Sequence, residues 1–184
     1  MPAREKRRRA AGAIGISVAF LMLTYLLAMA MVLVSAIVAS GSLTSALDWL
    51  RQPAPAQMIL QAAASLAAAL LATWLLGVKL SGVDWTALRY REAGRGRGFA
   101  VGLGVGALAA VLALLLGVAA GGARWLPDAG SAGDYAAQVL KTVGVLAPAA
   151  LAEEVVFRGV PLVLLAAAFG RVPAVIVNAF VFAG

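Results

Sequence analysis

The sequence predicts an all-α fold, a polytopic transmembrane helical bundle. The chain has 184 residues, of which 63% are hydrophobic, and a mean hydropathy of +0.96. That is more apolar surface than a water-soluble domain of this size can bury. The apolar residues come in long uncharged runs, one between Arg9 and Asp48, others over 52–78 and 98–123. Ten of the fifteen Lys and Arg fall in two clusters, residues 4–9 and 79–97, that flank these runs. Such placement suits membrane flanks better than a face that binds nucleic acid, despite the net charge of +7.

A membrane-crossing helix needs about 20 apolar residues. Each of the three runs is long enough for one span, and a fourth span is expected after Lys141, carrying Val143 to Leu151. The expected architecture is therefore about four full spans, followed by a short or re-entrant helix and an incomplete last helix. Residues 159–170 supply the short helix, because twelve residues cannot cross a bilayer. The last helix has thirteen uncharged residues after Arg171, so it is expected to be cut in mid-membrane and the chain to be an incomplete form. In domain terms, residues 1–9 read as a basic cytoplasmic tail, 10–137 as three spans with their loops, and 138–184 as the truncated N-terminal part of a catalytic domain.

The first run has a basic start and a small-residue sequence at Val38-Ala39-Ser40, as a cleaved signal peptide would. It is far longer than the roughly 7 to 15 residues of a signal core, so a retained anchor is expected. The cluster Arg7 to Arg9 alone is weak evidence for twin-arginine export. Orientation follows from the positive charges. With the N-terminus in the cytoplasm, twelve of the fifteen Lys and Arg lie inside, among them Arg4, Lys79, Arg89, Arg91, Arg158 and Arg171. Only Arg51, Arg124 and Lys141 lie outside. The expected location is an integral multi-pass cell membrane protein, N-terminus in, with loops 41–56 and 123–138 outside. The bilayer is thus one partner, nucleic acid is not expected, and oligomeric state is not legible.

The loop from Lys79 to Arg97 mixes Trp85, Leu88 and Tyr90 with its charges and reads as a short amphipathic stretch along the headgroups. Gly94, Gly96 and Gly98 alternate with arginines, yet no strand precedes them and no Gly-Lys-Ser/Thr follows, so a phosphate loop is not expected. Gly98, Gly102 and Gly106 repeat at spacing four, which leaves a backbone groove for a neighbouring helix.

Cysteine and histidine are both absent. Disulfides, thiol nucleophiles and histidine-based triads are therefore excluded from these residues. Chemistry has to come from carboxylates, basic groups, amides, hydroxyls or backbone. One segment stands out, Glu153-Glu154-Val-Val-Phe-Arg158-Gly159, three charged groups within six residues directly after an apolar helix. A charge at the centre of a membrane helix costs about 2.5 to 3.5 kcal/mol on insertion scales, so such groups face a cavity or a partner. Glu154 and Arg158 stand at i and i+4 in the order that favours an ion pair. Glu153 points about 100° away and has no obvious local partner. Pro148 interrupts the ladder upstream and favours a kink that widens a cavity beside the acids. A solvated helix end at the cytoplasmic surface accounts for the same residues about as well.

The segment 153–159 resembles the Glu-Glu-x-x-x-Arg signature of the intramembrane proteases that include CAAX prenyl endopeptidases and bacteriocin-processing enzymes. Phe169-Gly170-Arg171, Pro173 and the apolar stretch to Phe182 are similar to that family's link into its next helix. There a Phe-x-x-x-His motif is expected, and Phe182 matches its first position two residues before the end of the sequence. The resemblance covers about residues 145–184. It implies an all-helical endopeptidase with a conical cavity open to the cytoplasm, acting on a peptide or prenylated peptide. In that reading Glu153 activates water together with a histidine from the next helix, and Glu154 and Arg158 support or orient the site. A later histidine and asparagine would stabilise the oxyanion, and the fragment alone would be inactive. A divalent metal such as zinc is left open, since the chain offers no histidine ligand. Asn178, polar within the last helix, is expected to face the bundle and hydrogen-bond between helices. Two other classes remain: an ion-coupled transporter using the glutamate pair as a relay, and a non-catalytic membrane partner or immunity protein.

Overall fold

The structure is a computed structural model, and it describes residues 3–51, 54–88, 95–126 and 129–183. Among the described residues seven α-helices follow one another: α1 (Ala3–Ser40), α2 (Leu43–Arg51), α3 (Pro55–Ala72), α4 (Arg95–Ala119), α5 (Ala132–Arg158), α6 (Val160–Phe169) and α7 (Arg171–Ala183). A π-helical stretch, Thr73–Leu80, continues α3. No strand occurs among the described residues. The fold is the all-helical membrane bundle that the composition predicts.

Three stretches are long and apolar enough to cross a membrane: Arg7–Ser40, Pro55–Leu80 and Gly96–Ala119. The fourth expected span, α5, has sufficient length at 27 residues. It is less apolar than the others, because Asp134, Lys141, Glu153, Glu154 and Arg158 all lie on it. The basic residues 4–9 form the first turns of α1, where Arg9 pairs with Glu5 one turn earlier at 2.9 Å.

α1 has 38 residues, about 57 Å at the helical rise, and it is the post around which the bundle packs. Ala13, Ser17, Phe20, Thr24, Ala28, Val32 and Ala36 are its buried residues among those described, spaced by three or four as one helix face requires. α3 lies against this face and against α5, and its contact positions are small: Ala62, Ala68, Ala69 and Ala72 are buried. Small residues let membrane helices approach until their backbones nearly touch. α6 packs on α1 and α5, and α7 packs on α6.

The core gathers Phe20, Ala72, Val83, Leu88 and Val160. Val83 and Leu88 belong to the loop after the π stretch, which folds in turns and sends these two side chains into the bundle. Burial of this apolar pair anchors the start of the loop, which is expected to be a short amphipathic stretch, to the bundle. Arg89, Tyr90, Arg91 and Gly94 lie outside the described residues. Gly77 meets Val160 at the tightest point: a Cβ built on Gly77 would fall on a Val160 methyl group. Only glycine fits there without displacing a fully buried side chain.

The sequence reading left two local devices unnoticed. α2 fills the loop expected outside the membrane and is tied down by Gln57, whose amide donates to the Trp49 carbonyl at 3.0 Å. α5 starts at a capping box in which the Asp134 amide donates to the Ser131 hydroxyl and the Ser131 amide donates to the Asp134 carboxylate. The Ser131 hydroxyl also donates to the Asp134 carboxylate at 2.7 Å, and this bond first, with that from the Ser131 amide second, holds the Asp134 carboxyl below its ordinary value.

α4 is different from the other spans. All its residues with described side chains are exposed except Gly117 and Val118, and nothing lies within 4 Å of a Cβ built on Gly98, Gly102 or Gly106. The groove expected from the glycine spacing is present, but no helix of this chain fills it among the described residues.

Candidate functional site at the end of α5

The last turns of α5 carry Glu153, Glu154 and Arg158. Helical geometry sorts them as the spacing requires: the Arg158 guanidinium donates to the Glu154 carboxylate at 2.9 Å across one turn. Glu153 makes no ion pair with either residue. Gly159 then ends the helix, and Pro161, which has no N–H to leave unsatisfied, opens α6. Gly170 takes a left-handed φ of 90° between α6 and α7, so the chain doubles back within one residue. The 10-residue α6 is thus the short helix anticipated after the acids, and it does not span.

The turn at Gly170 brings α7 back onto the acids. A cavity of about 330 Å³ is lined by Glu153, Glu154, Phe157 and Arg158 on one side and by Asn178 and Phe182 on the other. Phe157 and Phe182 close it by an edge-to-face contact, with ring centroids 4.9 Å apart and planes at 90°. Asn178 does not form the interhelical hydrogen bond expected of it; its half-buried side chain lines the acid cavity.

A second cavity, also of about 330 Å³, opens on the other side of Glu153 between α1, α3 and α5. Thr24, Tyr25, Ser65, Ala152 and Phe157 are among the residues that line it. Nothing in the acid motif pointed to Thr24 or Ser65. The available signal was a hydroxyl in the middle of an apolar span, a placement that is costly in lipid.

This second cavity relates the acids to the two neighbouring helices. Thr24 is midway along the apolar stretch Arg7–Ser40, and Ser65 is near the middle of Pro55–Leu80. From Arg9 to Thr24 is fifteen residues, about 22 Å of helix, against a hydrocarbon core of about 30 Å. Glu153 is therefore level with residues midway along two long apolar helices. The enclosure expected for the acids is only partial. Glu153 is exposed, and the side chains of Glu154 and Arg158 are 52% and 72% exposed on the chain itself. The acids line open grooves between helices, because α7 covers them from one side only.

The family model for type II CAAX prenyl endopeptidases, Rce1-like, matches residues 135–184. Residues 135–184, about a quarter of the chain, are thus similar to that family. The matched segment contains both acids, Arg158, Asn178 and Phe182, and so covers every residue named in the first cavity. No curated protein and no solved structure matches the chain. The three stretches long and apolar enough to cross a membrane point to a multi-pass membrane protein.

The two carboxylates and the Asn178 amide are the polar groups that a metal ion would meet in the first cavity, with the Arg158 guanidinium beside them. No group of three or more His, Cys, Asp or Glu that could hold a metal ion occurs among the described residues. A catalytic zinc ordinarily takes three protein ligands, and Glu154 is already engaged by Arg158. These residues do not by themselves fit a metal, and no step is derived through one.

Proposed function

We propose that the protein is an intramembrane endopeptidase of the CAAX-processing type in which Glu153 activates water. The observation that carries this reading is the position of Glu153, free of the Glu154–Arg158 pair, bordering two cavities and level with residues midway along two long apolar helices. A carboxylate so placed accepts a proton from water as the oxygen adds to a peptide carbonyl. It returns the proton to the departing amine when the carbon–nitrogen bond breaks. Glu154 and Arg158 neutralise one another and hold the last turn of α5 in a fixed orientation. Asn178, on the facing wall, offers an amide donor toward the carbonyl oxygen as it becomes negative. The substrate is a peptide or prenylated peptide that enters from the bilayer through the open grooves.

The N-terminus is cytoplasmic in this reading, which puts the basic start of α1 and residues 79–97 on the inner side. A reporter enzyme that works only outside the cytoplasm, fused at Ser131, is expected to be active; an inactive fusion there reverses the orientation. The chemistry is tested by Glu153→Gln. Turnover of a prenylated peptide should be abolished while membrane insertion is retained, and undiminished cleavage removes Glu153 from the mechanism.

A further inference from the structure

We propose that an apolar cavity walled by α1, α6 and α7 is a subsite for one side chain of the peptide substrate, of about leucine or phenylalanine size, beside the bond that is cut. The inference rests on reading Glu153 as the acid that activates water.

α1 and α7 both pack on α6, and a gap is left between them. Val18 and Leu21 line it from α1, Leu165 from α6 and Val181 from α7. The one hydroxyl among its lining residues, on Ser17, donates to the Ala13 carbonyl at 2.8 Å and so offers the cavity no free donor. The only other polar side chain on its walls is that of Asn178. Asn178 and Phe157 also line the acid cavity. Two chambers therefore adjoin, one holding the carboxylates and one apolar, with Phe157 and Asn178 as their shared partition.

Size and distance select the occupant. The apolar cavity measures about 170 Å³. An apolar cavity of about 150 Å³ holds a benzene molecule, so this one has room for a single leucine or phenylalanine side chain. Phe157 follows Glu153 by four residues, about 6 Å along the helix. Successive Cα atoms of a peptide are about 3.8 Å apart, so a side chain seated past Phe157 belongs to the first or second residue from the cut bond. A charged side chain would be stranded there without a partner and is excluded. Two of the named walls, Val18 and Leu21, are on α1, outside the segment 135–184 that is similar to the protease family. Selectivity thus depends on a helix that the matched segment does not contain.

The first test is selectivity. Val18→Phe narrows the cavity from α1 and Val181→Phe from α7, and both positions are half exposed, so the bundle has space for the added bulk. Peptides with leucine or alanine at the first or second residue from the cut bond are compared by kcat/KM. The native protein should prefer leucine by about tenfold or more, and either variant should lower that ratio at least about tenfold. If one variant fails to assemble, the other gives the same reading. No leucine preference in the native protein, or a ratio that neither variant changes, overturns the proposal. The second test needs no turnover. A peptide with a photoactivatable leucine analogue at the same position is crosslinked to the purified protein, native and Glu153→Gln, in phosphatidylcholine vesicles. Label is expected on the α1 or α6 residues of the cavity and should disappear when unmodified leucine peptide is added. Label confined to other surfaces overturns the proposal, as does a cavity labelled from photoactivatable lipid acyl chains that the peptide does not displace. Undiminished cleavage by Glu153→Gln would refute the catalytic reading, while the label still decides on the subsite.

Discussion

α3 and α4 are both apolar spans dense in small residues, yet they end up in opposite surroundings. On α3, Ala68, Ala69 and Ala72 are completely buried between neighbours, whereas on α4 the glycines at 98, 102 and 106 meet nothing. Small side chains permit close approach in a membrane but provide little attraction of their own, since lipid tails are as apolar as leucine. What α3 has and α4 lacks is a partner with complementary relief. Phe20 projects from α1, Val160 from α6 and Ile59 meets Gly144 across the α3–α5 contact. The lesson is that a run of alanine or glycine marks where helices are able to meet, and bulky residues elsewhere decide whether they do.

This contrast predicts where substitutions matter. The largest effect is expected at the packed group's acid: Glu153→Gln should reduce turnover at least about 100-fold, the usual scale for loss of a general base, measured by peptide cleavage in detergent or vesicles. Gly77→Val should destabilise the bundle by about 1 to 3 kcal/mol through overpacking against Val160, read as a lower melting temperature in detergent. Gly102→Leu on α4 should change stability by less than about 0.5 kcal/mol in the same assay, because the added side chain enters open space. A large loss there would show that α4 packs as tightly as α3 and would erase the distinction. The smallest effect belongs to the exposed cap of α5. Because hydrogen bonds from Ser131 lower the Asp134 carboxyl in the folded chain, its contribution is complete above the ordinary value of 3.8 and fades as pH falls through the lower folded value. Amide exchange at the start of α5 should speed up over that acid window, and Asp134→Asn should remove the pH dependence.

Much of the site was legible because it depends on local spacing. The i, i+4 relation of Glu154 to Arg158, the isolation of Glu153 and the brevity of the helix after Gly159 all follow from helical geometry on a single segment. Charge-free length likewise marked α1, α3 and α4 as spans. Features that need two segments to meet were not legible. Thr24 and Ser65 are more than 85 residues away from Glu153 in sequence, and only the packing of α3 between α1 and α5 puts them in one chamber. The emptiness beside Gly98, Gly102 and Gly106 could not be read either, because a glycine pattern does not specify its partner. The capping box was missed for a simpler reason, since Ser131-x-x-Asp134 is a local signal that the sequence does contain.

The glycine beneath Val160 turns the π-helical stretch into a fulcrum. Val160 is only two residues beyond Arg158, so whatever lifts α6 from that seat also levers the final turn of α5, and the acid's aim with it. The end of α5 that carries both glutamates is thereby moored to a spot on a different helix, well away from them in sequence.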